Sequence, residues 1–177
     1  MMISEQQLAD LCGSKRRAAQ FIAPMVQAME RFEINTPARA AAFLAQVMHE
    51  SGRLRYTLEL ASGDAYEGRR DLGNLQRGDG RRFKGRGLIQ ITGRANYREC
   101  SRALYGDERL LETPELLEQP EAACLSAAWY WASRNLNALA DAWQFGLITR
   151  RINGGMNGLA DRLAYFDKAR ELLEATA

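Results

Sequence analysis

The chain has 177 residues, 46% of them hydrophobic and 26% charged, with a net charge of +2, one histidine and three cysteines. That is the make-up of one ordinary folded domain with a real core, and it excludes a disordered or fibrous chain. A metal site rich in His or Cys cannot be assembled from this inventory, and +2 is too small to mark the whole molecule as a nucleic-acid binder.

Apolar residues recur at helical spacing over residues 4–9 and 14–31. In the second stretch Ala18, Phe21, Ile22, Met25, Val26 and Met29 share a face, with Pro24 as a kink. Asn35-Thr36-Pro37 marks a helix start, Thr36 as cap and Pro37 in the first turn, where its missing N–H costs nothing. That helix buries Phe43, Leu44, Val47 and Met48 and runs to Glu50, where Ser51-Gly52 ends it. From Gly52 to Gly87 the periodicity fades into a glycine- and arginine-rich loop, and a loop of this length in a compact domain is usually functional. Helical patterning returns over residues 96–105, 114–119, 121–132, 138–145, 147–152 and 159–175, interrupted by Asn153-Gly154-Gly155 and Asn157-Gly158. Within the 121–132 run, Trp129, Tyr130 and Trp131 read as core.

Residues 51–102 hold twelve Lys and Arg against six Asp and Glu, so this stretch carries +6 and the rest of the chain −4. A basic surface of this kind attracts anionic polymers, while a solvated loop with scattered arginines fits the same counts. Cys12, Cys100 and Cys124 have neither zinc nor redox-pair spacing and read as reduced, buried thiols. The first residues show no apolar region followed by a cleavage site, and no window approaches the ~20 apolar residues of a spanning helix. The expectation is therefore a chain made in the cytoplasm and not stably inserted in a membrane.

Several generic signatures fail. Gly85-Arg86-Gly87-Leu88-Ile89-Gln90 lacks the third glycine of a dinucleotide fingerprint. His49-Glu50-Ser51-Gly52-Arg53 breaks the zinc-protease pattern, and no serine sits in a nucleophile elbow. What survives is Glu50, a carboxylate closing an apolar helix. Desolvation there would raise its pKa, as a general acid needs. Glu59 and Glu67 follow in the polar loop, and two carboxylates in unlike settings suit glycoside hydrolysis. A merely solvated helix end fits Glu50 as well. Tyr56, Tyr66, Phe83 and Tyr97, with Gln90, Asn96 and Asn153, supply rings and amides suited to sugars and N-acetyl groups, although each ring also fits a core.

The segment Phe83–Tyr97, FKGRGLIQITGRANY, resembles the signature of glycoside hydrolase family 19, the chitinases of plants and bacteria and the related endolysins of phages and prophages. His49-Glu50-Ser51 is similar to the family's His-Glu-Thr/Ser, and Thr149 to Gly155 to its Ile-Asn-Gly-Gly turn, in the family's order over residues 36–166. The resemblance implies a mainly α, lysozyme-like domain over residues 1–177, two lobes flanking a substrate groove with Glu50 at its floor. It implies Glu50 as the acid, Gln90, Asn96 and Asn153 lining the groove, Thr92 holding the attacking water, and Tyr97 near the sugars. The mechanism it implies is inverting, with carboxyls about 6.5–9.5 Å apart. For the base, Glu59 matches the phage-type pattern, and Glu67 is the rival at a spacing nearer the plant one. No metal or cofactor is called for.

The short chain without paired cysteines is most similar to the phage-type members. The expected function is that of a monomeric endolysin that hydrolyses peptidoglycan in the periplasm, after a separate holin-type protein opens the membrane, and so lyses the host. The alternatives are a chitinase and, in another class, a non-catalytic binder of cell-wall glycan.

Overall fold

The computed structural model describes residues 2–174, so the expected helix end at Ala175 lies outside the described residues. The fold is mainly α. Helix α1 (Glu5–Cys12) starts in a capping box: Ser4 Oγ accepts from the Gln7 amide, and Gln7 Oε1 accepts from the Ser4 amide. Helix α2 (Lys15–Arg31) is capped by Ser14 and runs unbroken through Pro24. The carbonyl that Pro24 leaves without a donor belongs to exposed Gln20, where water can serve it, so no break follows. Helix α3 (Pro37–Glu50) begins with the Arg39 amide donating to Thr36 Oγ1 at 3.3 Å, as the Thr-Pro pair predicts.

Beyond the loop come α4 (Asp79–Arg82), α5 (Arg94–Tyr105), α6 (Arg109–Glu112), α7 (Pro120–Ser133), α8 (Leu136–Asp141), α9 (Phe145–Asn153) and α10 (Leu159–Glu174). The stretch expected as one helix over 138–145 ends at Asp141, because Trp143 takes a left-handed φ of 57° that no continuing helix allows. Helix α3 packs along α10, α2 lies between α1 and α7, and α5 packs on α6 and α7. Residues Ala40 to Met48 of α3 are buried on every side, which its run of small residues permits. Among the described residues no helix is long and apolar enough to cross a membrane. The three cysteines are free and buried, and burial pushes the Cys100 thiol up to about 12.

The glycine-rich segment is compact. Two 3₁₀ turns, Asp64–Tyr66 and Arg70–Leu72, precede α4, and glycines let backbone cross backbone. A Cβ on Gly63 would lie 2.5 Å from the Gly80 carbonyl oxygen, and one on Gly80 would lie 2.6 Å from the Glu67 nitrogen. Side chains lock the crossing. Glu67 accepts from the amides of Gly78 (2.7 Å) and Gly80 (2.8 Å), and Asn74 donates to the Tyr66 carbonyl and accepts from the Arg94 amide. Asp79, 2% exposed, accepts from Arg94 Nη2 at 2.7 Å and Nε at 2.9 Å.

Burial alone would raise the Asp79 carboxyl, but the Arg94 hydrogen bonds and charge outweigh it and hold it below the ordinary range. Its stabilising effect is therefore complete at neutral pH and fades as pH falls through that lowered value. Asp79→Asn should cost roughly 3 kcal/mol at pH 7. In urea titrations the gap from the parent should narrow as the pH is lowered into the acid range.

Candidate active site

Helices α3 and α10 meet through a ladder of polar pairs. Arg162, 1% exposed, sends Nη2 to Glu50 Oε1 at 2.6 Å, Nη1 to Gln46 Oε1 and Nε to the Asn157 carbonyl at 3.2 Å. Gln46 passes the chain of bonds to Thr149 of α9 through Nε2 at 3.0 Å. His49 Nδ1 lies 2.6 Å from Asp161 Oδ2, and its ring is so close to Gly158 that a Cβ there would sit 2.3 Å from Cε1. Glu50 is 23% exposed. The expectation of an apolar setting for Glu50 is corrected here: its partner is a buried guanidinium, supplied by a helix 112 residues away.

After Glu50 the chain turns left-handed over Gly52 (φ 57°), Arg53 (64°) and Leu54 (62°). Ser51 organises this turn. Its Oγ donates to the Val47 carbonyl at 2.6 Å and accepts from the Leu54 amide at 2.9 Å, while its carbonyl receives the amides of Arg55 and Tyr56. The chain leaves extended, with the Glu59 amide on the Gly85 carbonyl and the Gly87 amide on the Thr57 carbonyl, both at 2.9 Å. Glu59 is thereby fixed against the signature segment. Its Oε1 accepts from the Tyr66 hydroxyl at 2.8 Å and its Oε2 from the Gly85 amide at 2.9 Å. Burial, and then the Glu59 bond, push the Tyr66 phenol up, so it stays protonated as the donor.

Arg86 and Ile91 exchange backbone hydrogen bonds, folding the segment back so that the Gln90 amide lies over Gly85. A Cβ on Gly85 would stand 2.1 Å from Gln90 Oε1 and 3.1 Å from Glu59 Oε2, so a side chain here would push both groups aside. Gln90, Thr92 and Asn96 line one pocket with Trp129, Tyr130 and Arg134. Asn96 Nδ2 donates to the Thr92 carbonyl at 2.7 Å. The Glu50 charge raises the Tyr130 phenol alongside burial, the largest cause, which puts Glu50 within electrostatic reach of this pocket.

Two expectations change. Tyr97 is fully buried, its ring edge-on to Phe83 and its hydroxyl between the Lys84 carbonyl and Arg86 Nη1, so it belongs to the core and not to a sugar surface. Glu67 accepts from the Gly78 and Gly80 amides as a loop clasp, away from the signature segment, whereas Glu59 stands with Gln90 over Gly85. Asn153 closes α9, is exposed and lies outside the Gln90 pocket. Sequence reasoning missed Arg162, Gln46 and Arg134 altogether and assigned Tyr130 to the core; an isolated Arg in an amphipathic helix carries no local signal of its partner.

No family model matches the chain. A glycosyl hydrolase family 19 domain-containing protein of Haemophilus influenzae is 36% identical over 104 residues, 59% of this chain and 49% of that protein. An endochitinase of Arabidopsis thaliana is 38% identical over 116 residues, 65% of this chain and 39% of that protein. The chain thus spans about half or less of the length of these curated relatives. The structure of chitinase C from Streptomyces griseus matches with a TM-score of 0.81 at 28% identity, covering 98% of this chain and 77% of that one. A bacterial family 19 chitinase, also at 0.81, covers 98% and 95% at 24% identity and shows likeness of fold.

Because Arg162 is buried and Glu50 is its anionic partner, Glu50→Ala should cost about 2–3 kcal/mol in urea denaturation. Glu59→Ala, whose partners are a phenol and an amide at a part-buried site, should cost about 1 kcal/mol.

Proposed function

We propose that this chain is a glycoside hydrolase of family 19 and that it hydrolyses β-1,4 bonds between the N-acetylated sugars of bacterial peptidoglycan by an inverting mechanism. The observation that carries the reading is the pair Glu50 and Glu59, held by unlike partners, Glu59 beside Gln90 over Gly85 and Glu50 close enough for its charge to act on Tyr130 of the Gln90 pocket. In this reading Glu50 delivers the proton on Oε2 to the leaving glycosidic oxygen, and the carboxylate it becomes meets the Arg162 guanidinium already in place. Glu59 takes a proton from the water that attacks the anomeric carbon from the opposite face. The Thr92 hydroxyl orients that water, and Tyr66 keeps the accepting carboxylate in position. Gln90 and Asn96 bind sugar substituents, and Asn153 extends the groove.

Support for peptidoglycan comes from the cations of segment 51–102 that have no carboxylate partner among the described residues (Arg53, Arg55, Arg70 and Arg77), and from two features of the phage-type pattern, the free cysteines and the early second carboxylate. The physiological role would be host lysis, the chain reaching the wall from the cytoplasm through a membrane hole made by another protein. Chitin is the second reading, favoured by the endochitinases among its relatives.

Mass spectrometry of fragments from purified peptidoglycan tests the reading. Reducing N-acetylmuramic acid or N-acetylglucosamine ends are expected; release of ends only from chitin would establish the second reading. Glu50→Gln and Glu59→Gln should each lower release at least about a hundredfold, within the range for a lost acid or base. Both should fail to clear chloroform-permeabilised Gram-negative cells. Glu67→Gln should keep turnover within roughly tenfold of the parent while lowering the melting temperature, since it weakens a clasp and no proton transfer. Full lysis by Glu50→Gln would overturn the assignment of the acid. Gly85→Ala should retain the helical circular dichroism yet lose most turnover, because the new methyl displaces Gln90 and Glu59.

A further inference from the structure

We infer that Arg134 forms, on the face of Tyr130, a cationic subsite that receives a carboxylate carried on the muramic acid side of the glycan; this rests on the peptidoglycan reading above. Arg134 sits at the C-terminal cap of α7, half-buried in the wall of the pocket that also holds Gln90, Thr92 and Asn96. Its guanidinium carbon lies 3.4 Å from the centroid of the Tyr130 ring, so the aromatic face sets the plane of the fork. One nitrogen, Nη1, donates to Ser133 Oγ at 3.0 Å. A guanidinium has five donors, so most of the fork is left to a ligand.

A second cation stands beside it. Arg151 Nη1 donates to the Arg134 carbonyl at 2.9 Å, and the Tyr130 hydroxyl reaches the Arg151 carbonyl at 3.4 Å. Among the described residues neither arginine has a carboxylate partner. Glu50 is bonded to Arg162 instead. The groove wall therefore carries positive charge that the fold does not neutralise.

A planar, weakly hydrated fork is suited to binding a carboxylate in two-point fashion. The amides of Gln90 and Asn96 can serve acetamido groups, which chitin and peptidoglycan share. Only peptidoglycan adds acid: every second sugar bears a lactyl ether that continues into a peptide with free carboxylates. Placed next to the amide pocket, Arg134 separates the two polymers by charge, where the amides cannot.

The test compares the parent with Arg134→Gln and Arg134→Lys on three substrates: intact peptidoglycan, amidase-treated glycan strands and neutral N-acetylchitohexaose. Arg134→Gln should lose about tenfold in kcat/KM on peptidoglycan, through KM and with kcat nearly unchanged. The loss on the hexamer should be several-fold smaller than that on peptidoglycan, and Arg134→Lys should recover most of the peptidoglycan loss. Amidase removes the peptide and frees the lactyl carboxylate, which is amide-bonded in intact peptidoglycan, so a vanished effect there assigns the subsite to the peptide carboxylates, and a retained effect shows that a freed lactyl carboxylate also fills it. Equal losses on peptidoglycan and hexamer would overturn the subsite, because Arg134 would then be bracing the pocket. So would parent-like cleavage of peptidoglycan by Arg134→Gln. A parent chain that cleaves the hexamer but not peptidoglycan would overturn the peptidoglycan reading, and the subsite with it.

Discussion

The arrangement depends on one buried guanidinium. A charge that is 1% exposed is tolerable only if its donors are met, and those of Arg162 are met by Glu50, Gln46 and the Asn157 carbonyl. Gln46, His49 and Glu50 are spaced i, i+3, i+4 on α3, so they share the face that meets Asp161 and Arg162 on α10. The hydrogen bonds tolerate only a few tenths of an ångström, which fixes the register of two long helices that apolar packing alone would leave free to slide. The side chain proposed to act on substrate is thus oriented by the same bonds that join the ends of the chain. The close fit of Gly158 under the His49 ring adds a steric stop to the same register.

From that anchored helix end, the path to the second carboxylate is short and strained. Arg53 and Leu54 hold left-handed conformations that cost about 1–2 kcal/mol each in a non-glycine residue, and the four hydrogen bonds around Ser51 offset that cost. A relaxed loop of the same length would let Glu59 wander. Here the turn delivers it onto the Gly85 segment, where a phenol and an amide each take one oxygen. Three glycines of this region serve close approach: Gly63 and Gly80 let three backbone stretches touch, and Gly85 lets two functional side chains meet over one Cα.

What the sequence made legible follows from which signals are local. Caps, turns and amphipathic spacing are encoded within a few residues, so Thr36-Pro37 and the end of α3 after Glu50 read correctly. The signature segment carried Gln90, Thr92 and Asn96 as a block, and the structure places them on one pocket. The same block misled for Tyr97, because membership of a motif says nothing about which face of α5 a ring takes. Contacts spanning the chain were illegible. Arg162 lies in a run that reads as an ordinary charged helix face, and its partner is 112 residues away. The break at Trp143 was illegible for another reason, since a positive φ in a large residue has no signature in composition.

The charge excess of residues 51–102 also takes on a different meaning once partners are known. Arg69, Arg81, Arg86, Arg94, Arg98 and Arg102 are paired with carboxylates, Arg82 with the last carbonyls of α6 and Lys84 with the Ala61 carbonyl. Much of the positive charge that would suggest a polyanion surface instead holds together a segment with few apolar side chains of its own. Exposed pairs of this kind contribute little singly, so their stiffening effect rests on number and on the buried Asp79–Arg94 pair. Counting charges along a segment therefore overstates its capacity for an anionic ligand. Among the described residues, cations without a carboxylate partner remain inside the segment at Arg53, Arg55, Arg70 and Arg77, and outside it Arg134 lines the pocket that holds Gln90, with Arg151 bonded to its carbonyl.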